Sequence, residues 1–119
     1  MNNFKQMWDF EVKKGIDFKH CNRVHPLMQG RVQQLLQELK KDGNIRKIVL
    51  FGSSLEFRCS SNSDIDLYIE KIDCNKPFVK EPVLDCEVDI LADLDHNSRL
   101  YRQIDQTGLI LYERGSDDV

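Results

Sequence analysis

The sequence predicts an α/β (α+β) domain: a small mixed β-sheet with helices mainly on one face, preceded by an N-terminal β-hairpin. Three observations carry that expectation. Ile48-Val49-Leu50-Phe51 is an apolar run with two β-branched residues, as expected of a strand covered on both faces, and Gly52-Ser53 stops it. Asp64-Ile65-Asp66-Leu67 alternates polar and apolar, and Tyr68 and Ile69 carry it onward as a second strand. Between Pro26 and Gly43, apolar residues recur at the i, i+3, i+4, i+7 spacing of a helix that buries one face.

In chain order, Trp8, Phe10 and Val12 alternate with Asp9, Glu11 and Lys13, and Ile16 and Phe18 flank Asp17 after Lys14-Gly15. This reads as a hairpin with Gly15 at the left-handed turn position, a better fit than a helix through Phe4, Met7, Trp8 and Glu11. A two-stranded ribbon is marginal in water, so its apolar face is expected to pack on the domain, with self-association or a helical partner as the other options. Pro26 suits a first helical position, and Leu27, Met28, Val32, Leu35, Leu36 and Leu39 form the inward stripe. Lys40 and Lys41 in the last turn favour the dipole, and Gly43 is the expected stop. Ser54 to Ser63, with its Ser60-Ser61-Asn62-Ser63 run, is a loop or short helix. Residues 71–85, broken by Pro77 and Pro82, are expected to be irregular, and Cys86-Glu87-Val88-Asp89-Ile90-Leu91 is a further strand. Asp95 to Ser98 offers N-caps to a last helix with Leu100, Tyr101 and Ile104 inward and Gly108 closing it. A short strand at Leu111-Tyr112-Glu113 and a frayed acidic tail at 115–119 complete the chain.

The 119 residues suffice for one domain with a single core, spanning 1–119 with 1–25 as an extension. Apolar residues at 40% and charged residues at 31% describe an ordinary globule. A net charge of −3 argues against a nucleic-acid partner, which would want a basic stripe. No apolar run approaches the roughly 20 residues of a membrane span, and Met1-Asn2-Asn3-Phe4-Lys5 lacks the apolar core of a signal peptide. Cys21, Cys59, Cys74 and Cys86 have no Cys-x-x-Cys spacing, and His20, His25 and His96 form no zinc pattern. Free thiols in a reducing cytoplasm are the expectation.

The chemistry concentrates at Gly52-Ser53 and Asp64-x-Asp66. Carboxylates at i and i+2 share a strand face about 7 Å apart, given about 3.3 Å of rise per residue. Asp is disfavoured in strands and like charges repel, so stability does not account for the pair. A divalent cation does, because Mg²⁺ takes hard oxygen ligands and keeps positions for water and substrate phosphates. A bare Asp-x-Asp reads more readily as a solvated strand face. The Gly-Ser turn upstream reverses that weighting, since free N–H groups at a turn and helix start bind anions.

Phe51-Gly52-Ser53 followed by Ser63-Asp64-Ile65-Asp66-Leu67 resembles the minimal nucleotidyltransferases of the polymerase-β-like superfamily. The likeness extends over roughly residues 27–114. It implies a third carboxylate on a later strand, which Asp89 matches, Glu87 being the lesser candidate. It further implies Asp64, Asp66 and Asp89 as catalytic residues and ligands of two Mg²⁺ or Mn²⁺ ions, with Gly52, Ser53, Ser54, Arg58 and Ser63 around the nucleotide. Relatives commonly carry a basic residue and then a glycine where Glu56 and Phe57 stand here, and Arg58 is the substitute cation. The resemblance implies a nucleoside triphosphate substrate, ATP first among them. It also implies a protein partner, a small all-helical HEPN-type toxin that some relatives neutralise by adenylylation, with a homo-oligomer as the alternative. Three functions follow from different classes: a working nucleotidyltransferase, an inactive binding module that neutralises by contact, and an acidic metal-binding domain. Glu56 and Phe57 favour the second; Asp64, Asp66 and Asp89 favour the first.

Overall fold

Helix α1 spans Pro26–Leu39 and begins as its sequence dictates: Pro26 holds the first position and the His25 ring caps it, Nδ1 accepting the Leu27 N–H at 3.1 Å. The structure, a computed structural model, describes residues 9–77 and 86–114. Met28, Val32, Leu35, Leu36 and Leu39 are buried, and each such side chain is worth about 1.5–3 kcal/mol relative to exposure. Leu27 lies outside the stripe and is exposed. Gly43 is not the stop. The helix ends before Lys40, and Asp42 Oδ1 accepts the Asn44 N–H at 2.9 Å to turn the chain.

Strands β1 (Ile45–Phe51), β2 (Ile65–Lys71), β3 (Val88–Ala92) and β4 (Leu109–Glu113) form one sheet in the order β3-β2-β1-β4. β1 runs antiparallel to both β2 and β4, whereas β2 and β3 are parallel. Period-2 alternation gives this sheet two apolar faces. Ile48, Leu50, Ile65, Leu67 and Ile69 meet α1, while Val49 and Tyr68 meet Ile104 of helix α2 (Arg99–Thr107). The helices therefore divide between the faces instead of gathering mainly on one. The Asp64/Asp66 side of β2 is the α2 side.

Ser98 caps α2, its Oγ accepting the Tyr101 N–H at 3.1 Å. Ile104 and Tyr101 face the sheet as expected, but Leu100 is 44% exposed. It belongs to the Leu100-Gln103-Ile104-Thr107 row, which borders an open cleft. Gly108 follows the helix in extended conformation, and close packing is what requires it there. A Cβ would stand 2.5 Å from Val49 Cγ1 and 2.6 Å from the Ile104 carbonyl oxygen.

The N-terminal hairpin does not form among the described residues; Trp8 lies outside them, as do residues 78–85 with Pro82 and the 115–119 tail. Gly15 turns the chain at φ +88 as expected, but residues 9–20 make no ladder. Side-chain amides of α1 take the backbone groups a partner strand would have used. Buried Gln29 donates to the Glu11 carbonyl and accepts from Lys13 N–H at 2.8 Å, and Gln33 bridges Gly15 and Asp17. Asn22 closes the excursion by accepting the Phe10 N–H at 2.7 Å, and a 3₁₀ turn at Cys21–Arg23 leads to α1. Phe18 packs on the core, as the covered-face expectation requires, while Val12 remains 38% exposed. No helix among the described residues is long and apolar enough to cross a membrane.

Candidate functional site

Gly52 ends β1 with φ +86, a conformation that favours glycine, and opens a 3₁₀ turn, Gly52–Leu55. A Cβ on it would stand 2.5 Å from Asp66 Oδ2. Conformation and space thus require glycine together. The register sets what Gly52 faces: Phe51 pairs with Asp66 across β1 and β2, and Asp66 pairs with Asp89 across β2 and β3. Asp64 stands one residue before β2 and is exposed. Glu87 lies just ahead of β3, its carbonyl accepting the Ile65 N–H at 2.9 Å, so Asp89 is the carboxylate level with Asp66.

The electrostatics follow. Asp66 is half-buried, and burial first, then the charges of Asp89 and Asp64, push its carboxyl above the usual aspartate range. Among the described residues no group of three or more His, Cys, Asp or Glu side chains, Asp64, Asp66 and Asp89 included, is arranged to hold a metal ion. Mg²⁺ does not ask for one, because it is usually held by one or two carboxylates together with water and substrate phosphates. The oxygen donors and the cradle that a Cβ at Gly52 would fill suit such an ion beside a phosphate.

The other expected nucleotide contacts divide. Ser53 is half-buried in the turn beside Gly52. Ser54 is a correction: it is fully buried with its hydroxyl unpartnered, facing the interior and not a phosphate, while its carbonyl accepts the His25 N–H at 2.8 Å. Arg58 is exposed and ion-paired with Glu56 at 2.6 Å. Ser63 Oγ accepts the Ser60 N–H at 3.0 Å, bracing the loop that delivers Asp64.

Beside Gly52 opens a cleft of about 630 Å³, walled by Phe51, Leu55, Glu56, Phe57 and Arg58 on one side and the Leu100-Gln103-Ile104-Thr107 row of α2 on the other. Residues 33–117, well over half of the chain, match the family model "Polymerase beta, Nucleotidyltransferase". The chain belongs to the polymerase beta nucleotidyltransferase family. No curated protein and no solved structure matches it.

This nucleotidyltransferase domain has two features that sequence reading missed. The first is the α2 wall of the cleft, because the helix was read for its buried face alone. The second continues the Asp64/Asp66 face of β2. Tyr68 and Glu70 are both buried, the Tyr68 hydroxyl donates to Glu70 Oε2 at 3.0 Å, His96 Nε2 lies 2.7 Å from the same oxygen, and Arg46 pairs with Oε1 at 2.8 Å. His96 stacks on Tyr101 at 4.1 Å, so the cluster ties the start of α2 to the sheet. The polar alternation past Asp66 was the available signal.

Burial pushes the Glu70 carboxyl up, but the His96 and Tyr68 hydrogen bonds and the Lys47 charge outweigh it and leave it below the usual glutamate range. Burial and the Glu70 contacts in turn push the Tyr68 hydroxyl up, so it stays a donor. A depressed carboxyl contributes stability that is present above its ordinary pKa and lost as pH falls through its folded value. Glu70→Ala strands the buried Tyr68 hydroxyl at a cost of about 1–3 kcal/mol. Thermal melts should show that loss at neutral pH and a shrinking gap in acid; a gap that does not change with pH would contradict the assignment.

Proposed function

We propose that this domain transfers a nucleoside monophosphate, AMP in the first instance, from a nucleoside triphosphate to a hydroxyl on a protein acceptor in the cytoplasm. The acceptor that fits the family resemblance is a HEPN-type toxin, which places the chain as its antitoxin. The observation that supports the reading is the closeness of Gly52 to Asp66, which is in register with Asp89: a positive-φ glycine turn abuts a pair of carboxylates.

Asp64, Asp66 and Asp89 would hold Mg²⁺ or Mn²⁺, two ions by resemblance. When bound, the metal supplies charge neutralisation and alignment of the triphosphate. The Gly52-Ser53 turn offers backbone N–H groups to the β- and γ-phosphates. Asp89 accepts the proton of the incoming hydroxyl, whose oxygen attacks the α-phosphorus as the bond to the bridging oxygen breaks and pyrophosphate leaves. The raised Asp66 carboxyl, pushed up by burial and then by the charges of Asp89 and Asp64, supports this assignment, since a bound cation would offset that cost.

A second reading, a catalytically inactive binder, draws on Arg58, whose charge is engaged by Glu56 in the loop beside the turn. A thermal shift with millimolar Mg²⁺ or Mn²⁺ and ATP tests metal and nucleotide together. Ligand at about a hundredfold excess over Kd stabilises by about 2.7 kcal/mol, so the melting temperature should rise by several degrees. Absence of any shift would count against both metal and nucleotide. Transfer of labelled AMP to the candidate partner tests the reaction itself.

A further inference from the structure

We propose that α2 is a lid that opens as one piece ahead of the sheet, and that the hydrogen bond between His96 and Glu70 is the latch that sets how often it opens. The inference goes beyond the nucleotidyl-transfer reading and does not depend on it.

α2 is lightly held. At nine residues it is too short to be stable in isolation, so its place rests on tertiary contacts. Ile104 is its one fully buried residue, clustered with Val49 and Tyr68, whereas α1 buries six. Elements with few buried contacts are the ones that open locally. The start of α2 is held by a stack and a bond. Tyr101 stands edge-on to Tyr68 at 5.7 Å, and His96 stacks on Tyr101 at 4.1 Å with planes 11° from parallel. His96 Nε2 donates to Glu70 Oε2 at 2.7 Å.

The two partners in that bond are unequal. Glu70 is fixed by the sheet: its side chain is 6% exposed, Arg46 pairs with Oε1 at 2.8 Å, and the Tyr68 hydroxyl donates to Oε2 at 3.0 Å. His96 lies in the loop before α2 with its side chain 59% exposed. Parting the bond leaves Glu70 its Arg46 and Tyr68 partners and returns the imidazole to water, so neither partner is stranded. Leu100, Gln103, Ile104 and Thr107 of the cleft wall all ride on α2, while Gly52, Asp66 and Asp89 belong to the strands and the turn after β1. Opening of α2 therefore widens the cleft and leaves the junction of Gly52 with Asp66 in place.

The test is amide hydrogen exchange of the full chain at neutral pH, followed residue by residue in increasing urea below the unfolding transition. In the wild type the hydrogen-bonded α2 amides should exchange faster than those of β1 and β2. Their exchange should also depend less on urea, because a local opening exposes less surface than unfolding does. His96→Phe keeps a ring for Tyr101 but has no donor, and should speed α2 exchange roughly tenfold, the worth of a hydrogen bond to a charged group. His96→Gln restores a donor at similar reach and should stay close to wild type. On a Glu70→Ala background, which lacks the acceptor, His96→Phe should add nothing. Exchange of α2 at the rate and urea dependence of β1 would overturn the lid. Unchanged α2 exchange in His96→Phe, a loss as large in His96→Gln, or a full His96→Phe effect on the Glu70→Ala background would overturn the latch. Should Glu70→Ala fail to fold, the two His96 variants decide the latch between them.

Discussion

Asp66→Asn should abolish the proposed nucleotidyl transfer and yield a protein slightly more stable than the wild type in the absence of metal. The two effects have one cause. Asp66 sits level with Asp89 and against Gly52, and its carboxyl is raised first by burial and then by the charges of Asp89 and Asp64. A carboxyl raised in the folded state contributes stability below its unfolded pKa that is lost as pH rises through the folded value. Wherever Asp66 is ionised the wild type therefore carries the penalty, and Asn does not. Asp66 remains partly open to solvent, so the gain should be about 1 kcal/mol or less, a few degrees in melting temperature, shrinking in acid. Asn keeps the shape but loses the charge that a hard cation requires. A catalytic metal is worth several kcal/mol of barrier, so transfer should fall roughly a thousandfold or more. Asp64→Asn should behave alike, and Asp89→Asn should cripple transfer while retaining more nucleotide binding. Labelled-AMP transfer to, and neutralisation of, the proposed HEPN-type partner should be measured on the same three proteins. Unchanged transfer in Asp66→Asn would sink the catalytic assignment, and full neutralisation without transfer would favour the binder.

Gly52→Ala should also lose transfer, by a steric route that a second glycine can separate. Gly52 and Gly15 have nearly the same positive φ, +86 and +88. Alanine in such a conformation costs about 1–2 kcal/mol at either place. Beyond that they differ: a Cβ at Gly15 meets nothing within 4 Å, whereas at Gly52 it meets Asp66 Oδ2 at 2.5 Å. Asp66 must swing away or the turn must open, and either change spoils the junction of phosphate cradle and carboxylates. Gly15→Ala should lower the melting temperature by several degrees and bind ATP normally. Gly52→Ala should lose at least as much stability and nearly all affinity for ATP with Mg²⁺. Normal nucleotide binding in Gly52→Ala would place the phosphates elsewhere.

Local pattern alone determined much of this protein. The Met28-to-Leu39 stripe, the Ile48–Phe51 run, the alternation from Asp64 and the Ser98 cap each became the element they predicted, because period and capping act within a few residues. Gly52, Asp64 and Asp66 stood out as candidates for the same reason, whereas Asp89 was named through the family resemblance. Tertiary structure alone decided the rest. The alternation around Gly15 was a sound hairpin signal, yet Gln29 and Gln33, sixteen and eighteen residues away, satisfied the backbone groups of that segment instead. Ser54, expected among the nucleotide contacts, is instead fully buried within the 3₁₀ turn. Only strand register could set Asp66 level with Asp89 and Gly52, and only the placement of α2 on that face could make a cleft there. Those choices depend on which distant group meets a backbone amide or an open sheet face, and a short sequence window holds no record of that.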